Sequence, residues 1–117
     1  VRTLNPDIPL KYLAVRKGGM IKMINIKQVI YIKGTGIYTE LYLKEGGPEL
    51  HDKSMDTLEQ LLPEGEFARI HRSYIVALQQ VERLQIGTGG KYSVYLKTGA
   101  LLPVGRSRYK DLRGKMI

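Results

Sequence analysis

Apolar and polar positions alternate along most of this 117-residue chain. Residues 11–17 (KYLAVRK) and 20–25 (MIKMIN) keep a two-residue period and meet at Gly18-Gly19, which predicts two strands closed by a tight glycine turn. Residues 28–33 (QVIYIK) and 37–43 (IYTELYL) repeat the pattern around Gly34-Thr35-Gly36. In the second of these, Ile37, Thr39, Leu41 and Leu43 fall on one face, and Tyr38, Glu40 and Tyr42 on the other. Gly46-Gly47-Pro48 predicts a turn. The period then changes. Met55, Leu58, Leu61 and Leu62 lie on one helical stripe, Ser54 is placed to cap it, Asp56 suits its first turn, and Pro63 with Gly65 ends it. Residues 79–86 and 92–98 read as another hairpin about Gly87–Gly90, and 101–104 (LLPV) as an edge strand because Pro103 cannot donate to a ladder. From Arg106 the pattern predicts a short helix with Tyr109, Leu112 and Met116 on one side, weakened near its end by Gly114. The expected fold is mainly β: small antiparallel sheets with two or three short helices.

The length allows one domain with its own core. Residues 1–10 are expected to be a linker or arm and residues 11–117 the domain; a chain that begins at Val1 reads as a piece of a longer protein. No cysteine is present, which removes disulfides and any Cys-based zinc site. No apolar run is long enough to span a bilayer, and VRTLNPDIPL lacks the apolar region of a signal peptide.

Charge adds a second pattern. Residues 40–66 hold eight of the eleven acids and two bases, a net of −6. Residues 1–39 carry seven bases against one acid, and residues 69–117 ten against two. Two basic stretches therefore flank an acidic one, which suits a phosphate-attracting face with the acidic segment turned away. Within the second basic stretch, FARIHRSYIV (67–76) sets Arg69, His71 and Arg72 inside an apolar run, where burial without partners would cost several kcal/mol each. The chain is expected to turn outward there.

Catalysis finds no support. His51 lies among Glu49 and Asp52 and reads as a surface histidine. His71 and Ser73 lack an orienting acid, and no glycine loop is followed by the helix that a phosphate site needs. No cofactor or metal is expected. The C-terminal segment is too short and too weakly amphipathic for a membrane-surface helix.

Residues 67–76, together with Leu102-Pro103-Val104-Gly105-Arg106-Ser107-Arg108-Tyr109, resemble the LytTR DNA-binding domain of bacterial transcription regulators. Val29-Ile30-Tyr31-Ile32 and Gly36-Ile37-Tyr38 look like that family's paired strands around its first recognition loop. The resemblance covers roughly residues 11–116. It implies double-stranded DNA as partner, with loops entering successive major grooves and bending the duplex. It also implies paired direct repeats that a second copy would occupy, and an upstream receiver or sensor domain of a two-component system. A cytoplasmic location follows, with a membrane sensor allowed in the full-length protein. Contacting positions fall at Lys33, Gly34, Ile37 and Tyr38, at Arg69, His71, Arg72 and Ser73, and at Arg106, Ser107, Arg108 and Lys110. The chain departs from the family at Lys33-Gly34, at Ala77 and at Gly105, where a capping serine is usual.

Arg72 and Arg106 are the expected base or close phosphate contacts, because a guanidinium can bridge a guanine edge. Arg72 has a surface pairing with Glu64 or Glu66 as its alternative. Arg69 is open between a phosphate clamp and a packed side chain with an acid partner. His71 either donates to a phosphate or fixes the turn through a backbone bond, and the second reading leads. Arg108, Lys110, Arg113 and Lys115 would supply backbone attraction. Tyr74 is expected in the core and Tyr38 at the surface. Two other classes remain beside DNA binding: an RNA-binding β module, and a protein-interaction domain with a basic surface.

Overall fold

The computed structural model describes residues 10–116, and ten strands account for most of its regular structure. β1 (Tyr12–Lys17) and β2 (Met20–Asn25) form a hairpin whose two-residue turn closes because Gly18 takes a φ of +60°, which a side chain would resist. β3 (Val29–Gly34), β4 (Thr39–Leu43), β5 (Glu49–His51), β6 (Phe67–His71) and β7 (Tyr74–Ala77) make a five-stranded antiparallel sheet in the order β5-β4-β3-β7-β6. β8 (Val81–Ile86), β9 (Tyr92–Leu96) and β10 (Leu101–Val104) make a three-stranded sheet with β10 and its Pro103 at one edge. Two helices complete the fold, α1 (Met55–Leu61) and α2 (Arg106–Gly114). No helix among the described residues is long and apolar enough to cross a membrane.

The five-stranded sheet is buried on both faces, each against a different layer. On one side Ile32, Leu41, Phe67 and Ile75 pack with Met55, Leu58 and Leu62 of the α1 segment and with Leu13, Val15 and Ile24 of the hairpin. On the other, Ile30, Ala68, Ile70 and Val76 meet Val94, Leu96, Leu102 and Val104 of the three-stranded sheet and Leu112 of α2. Each fully buried aliphatic side chain contributes about 1.5–3 kcal/mol. Ser54 caps α1 as expected, its hydroxyl accepting the Thr57 N–H at 3.2 Å. In α2, Leu112 is buried while Tyr109 and Met116 pack at its side, and Tyr109 stacks on Tyr92 with ring centroids 3.9 Å apart.

Three expectations need correction. Ile37 does not share the core face of β4: the strand begins at Thr39, and Ile37 is 83% exposed in the preceding loop. His51 is not a surface histidine. It lies buried in β5, an edge strand absent from the sequence reading, and its Nδ1 accepts the Lys53 N–H at 3.1 Å. The acidic segment is not simply turned away from the basic ones. Glu49 pairs with Lys17 and Lys22, and Asp56 and Glu59 reach arginines of the last basic stretch. The expected arm at residues 1–10 lies outside the described residues except for Leu10.

Candidate nucleic-acid interface

Four connecting segments are tied together at one edge of the sheets, and backbone hydrogen bonds do most of the tying. The loop between β3 and β4 is closed by Thr35, whose N–H and hydroxyl both donate to the Tyr38 carbonyl at 2.9 Å. That loop is joined to the turn between β6 and β7 by Gly34, which donates to the Ser73 carbonyl at 2.8 Å. A Cβ on Gly34 would stand 2.8 Å from Met55 Cγ, so any larger residue there forces Met55 to shift. The turn is joined to the start of α2 by Gly105, which donates to the Ile70 carbonyl at 2.7 Å. Arg106 then donates from Nη2 to the Gly89 carbonyl at 3.1 Å, linking α2 to the loop between β8 and β9.

The turn at residues 71–73 is held on every side. The β6–β7 ladder shifts register between Arg69 and His71, the kind of irregularity that re-aims side chains at a strand end. Arg69 Nε donates to the His71 carbonyl at 3.3 Å, and its Nη2 to the Arg72 carbonyl at 2.6 Å. His71 Nδ1 accepts the Ser73 N–H at 3.1 Å, and the ring stands edge-on to Tyr74. His71 therefore fixes the turn and keeps Nε2 free to carry its proton. With its backbone so constrained, the turn presents Arg72 to solvent, and among the described residues that side chain forms no salt bridge. The alternative for Arg72, a surface pairing with Glu64 or Glu66, is not formed.

Arg69 and Arg108 are both engaged by acids of α1. Arg69 Nη1 donates to Glu59 Oε1 at 3.0 Å and also to Asp56 Oδ1, and its side chain is only 8% exposed. The packed alternative is the one realised. Burial opposes its charge, but Asp56 and Glu59 outweigh that and raise its pKa further. Arg108 Nη1 donates to Glu59 Oε2 at 2.7 Å. Glu59 is pushed up by burial, yet the bonds from Arg69 and Arg108 together hold it below the usual carboxylate range. Asp56 is lowered by its bond to Arg69.

Of the other expected contacts, Arg106, Ser107 and Lys110 are exposed on α2, and Tyr38 is 49% exposed beside Ile37. Gly105 supplies no side-chain cap to α2. Lys33 is half-buried and stands opposite Glu40 in the β3–β4 ladder. Tyr31, Tyr42 and Tyr74 continue this face inward: Tyr31 stacks on Tyr42 at 4.4 Å, and Tyr42 donates to Glu40 at 3.2 Å. Sequence reasoning missed the loop of residues 87–90 as a member of the edge. Its signal was present in Gly89 and Gly90, both at positive φ, which bring the backbone against the Arg106 guanidinium.

A family model for the LytTr DNA-binding domain matches residues 19–117. This chain belongs to that family. The family is one of DNA-binding domains. The chain is 26% identical over 101 residues to the sensory transduction protein LytT of Bacillus subtilis, covering 86% of this chain and 42% of that protein. It is 32% identical over 107 residues to the CO-responsive transcriptional regulator RcoM of Rhodospirillum rubrum, covering 90% and 44%. It is also 32% identical over 110 residues to the positive alginate biosynthesis regulatory protein of Pseudomonas aeruginosa, covering 92% and 44%. The chain thus spans less than half the length of these relatives. Its fold matches the solved LytTr DNA-binding domain of a Bacillus cereus protein with a TM-score of 0.81 at 21% identity, covering 92% of this chain and 97% of that one.

Proposed function

We propose that this LytTR domain reads sequence in double-stranded DNA as the output module of a bacterial transcription regulator. The observation that carries the reading is the pair Arg72 and Arg106: two exposed arginines on backbone segments tied together by the Gly105–Ile70 bond, with Arg106 steadied from one side by the Gly89 carbonyl. An arginine so mounted can take guanine O6 and N7 together, and because its backbone is already ordered, little entropy is lost on binding. In this reading the 35–38 loop presents Ile37 and Tyr38 to a neighbouring stretch of groove, where Ile37 can lie against a thymine methyl. Ser73, Ser107 and Lys110 take phosphates, which fix the register of the protein on the duplex. Arg69 and Arg108 stay on their acids. Two copies occupy direct repeats, and a receiver or sensor domain upstream of residues 11–117 supplies the signal, consistent with the greater length of the relatives.

The test is a selection from random duplex DNA, repeated at moderate and raised salt. Enrichment of a direct repeat that survives the salt step, and that Arg72→Ala or Arg106→Ala abolishes, is the expected result. Binding without enrichment that vanishes as salt rises would mean that the net charge of +8 alone attracts DNA.

A further inference from the structure

Glu59 sits behind the edge that carries Arg72 and Arg106, and each of its two carboxylate oxygens is engaged by a different element of that edge. Oε1 accepts from Arg69 at 3.0 Å, and Oε2 accepts from Arg108 at 2.7 Å. Arg69 passes the constraint on, since its remaining nitrogens hold the carbonyls of His71 and Arg72. Arg108 stands two residues from Arg106 in the first turn of α2. A cleft of about 360 Å³ lies between α1, β6 and α2, and among the described residues the Glu59–Arg108 bond is the one hydrogen bond joining the two helices. We propose that Glu59 is a positioning residue for DNA recognition, one carboxylate that sets the Arg72 turn and the start of α2 at a fixed separation. The inference rests on the DNA-binding reading above and adds a part of the machinery that touches no DNA.

The sign of the effect separates this role from simple electrostatics. Removing a carboxylate makes the chain one unit more positive, which by itself strengthens attraction to any duplex. Loss of positioning instead weakens binding only where geometry matters, on the selected sequence. Affinities of wild type, Glu59→Gln and Asp56→Asn are therefore measured on the duplex that the wild type selects and on a scrambled duplex of equal length. Glu59→Gln is expected to weaken the selected duplex by about fivefold or more and to leave the scrambled one unchanged or tighter. Asp56→Asn, at an 83% exposed side chain where the fold is not at stake, shifts the selected duplex in the same direction by less. Amide spectra of the free proteins supply a readout without DNA: Glu59→Gln should move the resonances of Arg72 and Ser73 and those of Gly105–Arg108. The proposal is overturned if Glu59→Gln binds the selected duplex as well as wild type does, or if both sets of resonances stay in place. Should Glu59→Gln unfold, Asp56→Asn decides by the same two readouts at Arg72 and Ser73. A wild type that selects no duplex sinks the DNA reading itself, and this is seen before any variant is made.

Discussion

At positions 69 and 72 the chain carries the same side chain in two chemical situations. Arg69 spends its donors on two carboxylates and two carbonyls within the protein, whereas Arg72 projects into solvent. Periodicity could not separate them, because the acids that claim Arg69 lie 13 and 10 residues earlier, on a helix. The outward turn itself was legible: Phe67, Ile70 and Ile75 are buried on either side of it. The proposed contacts differ in kind and so should fail differently. Arg72→Ala should cost about 1–3 kcal/mol on the selected duplex and relax preference at one base position, read by competition with single-base variants. Lys110→Ala should weaken all duplexes nearly alike and reduce the salt slope by about one. Equal losses from both substitutions on selected and scrambled DNA would assign Arg72 to phosphate instead.

Among the elements, strands with alternating burial were the readable ones. Thr39 and Leu41 face inward as the pattern required, and the Gly18-Gly19 hairpin holds its register from end to end. β5 escaped notice because three residues carry no period and two of them are polar. Glu49 and His51 are buried there only because Lys17, Lys22 and the Lys53 N–H satisfy them. The candidate interface was partly readable: three of its proposed contact segments each carry a glycine or an arginine cluster, but the backbone bonds that join them are long-range. Gly34 joins two of those segments through its bond to the Ser73 carbonyl. Gly34→Ala pushes a methyl against Met55 Cγ and should destabilise the domain by about 1–3 kcal/mol. Because Met55→Ala itself opens a cavity, the check is a double-mutant cycle by urea unfolding: Gly34→Ala should cost less in a Met55→Ala background than in wild type if the clash is the cause, and an equal cost would place the strain in the backbone.

For the whole molecule, acid should act in two steps. Burial holds His51 below its ordinary 6.5, so the unfolded chain takes up that proton first, and stability present above 6.5 falls as pH drops through and below it. Asp56 and Glu59 are likewise held below 3.8 and 4.5, so their contribution, complete above those values, is lost as pH falls further toward their folded-state pKa values. Thermal midpoints should therefore decline as pH falls through and below 6.5 in wild type but stay flat there in His51→Gln, while Glu59→Gln should flatten the lower step. A wild-type curve without the first decline would remove His51 from the account. An amide-resolved titration of the protein with its selected duplex tests most directly whether the assembled edge meets DNA. Shifts should concentrate at residues 34–38, 71–73, 87–90 and 105–110 and leave the β1–β2 hairpin unmoved. Shifts centred on the hairpin or on the outer face of the three-stranded sheet, with Arg72 and Arg106 silent, would contradict it.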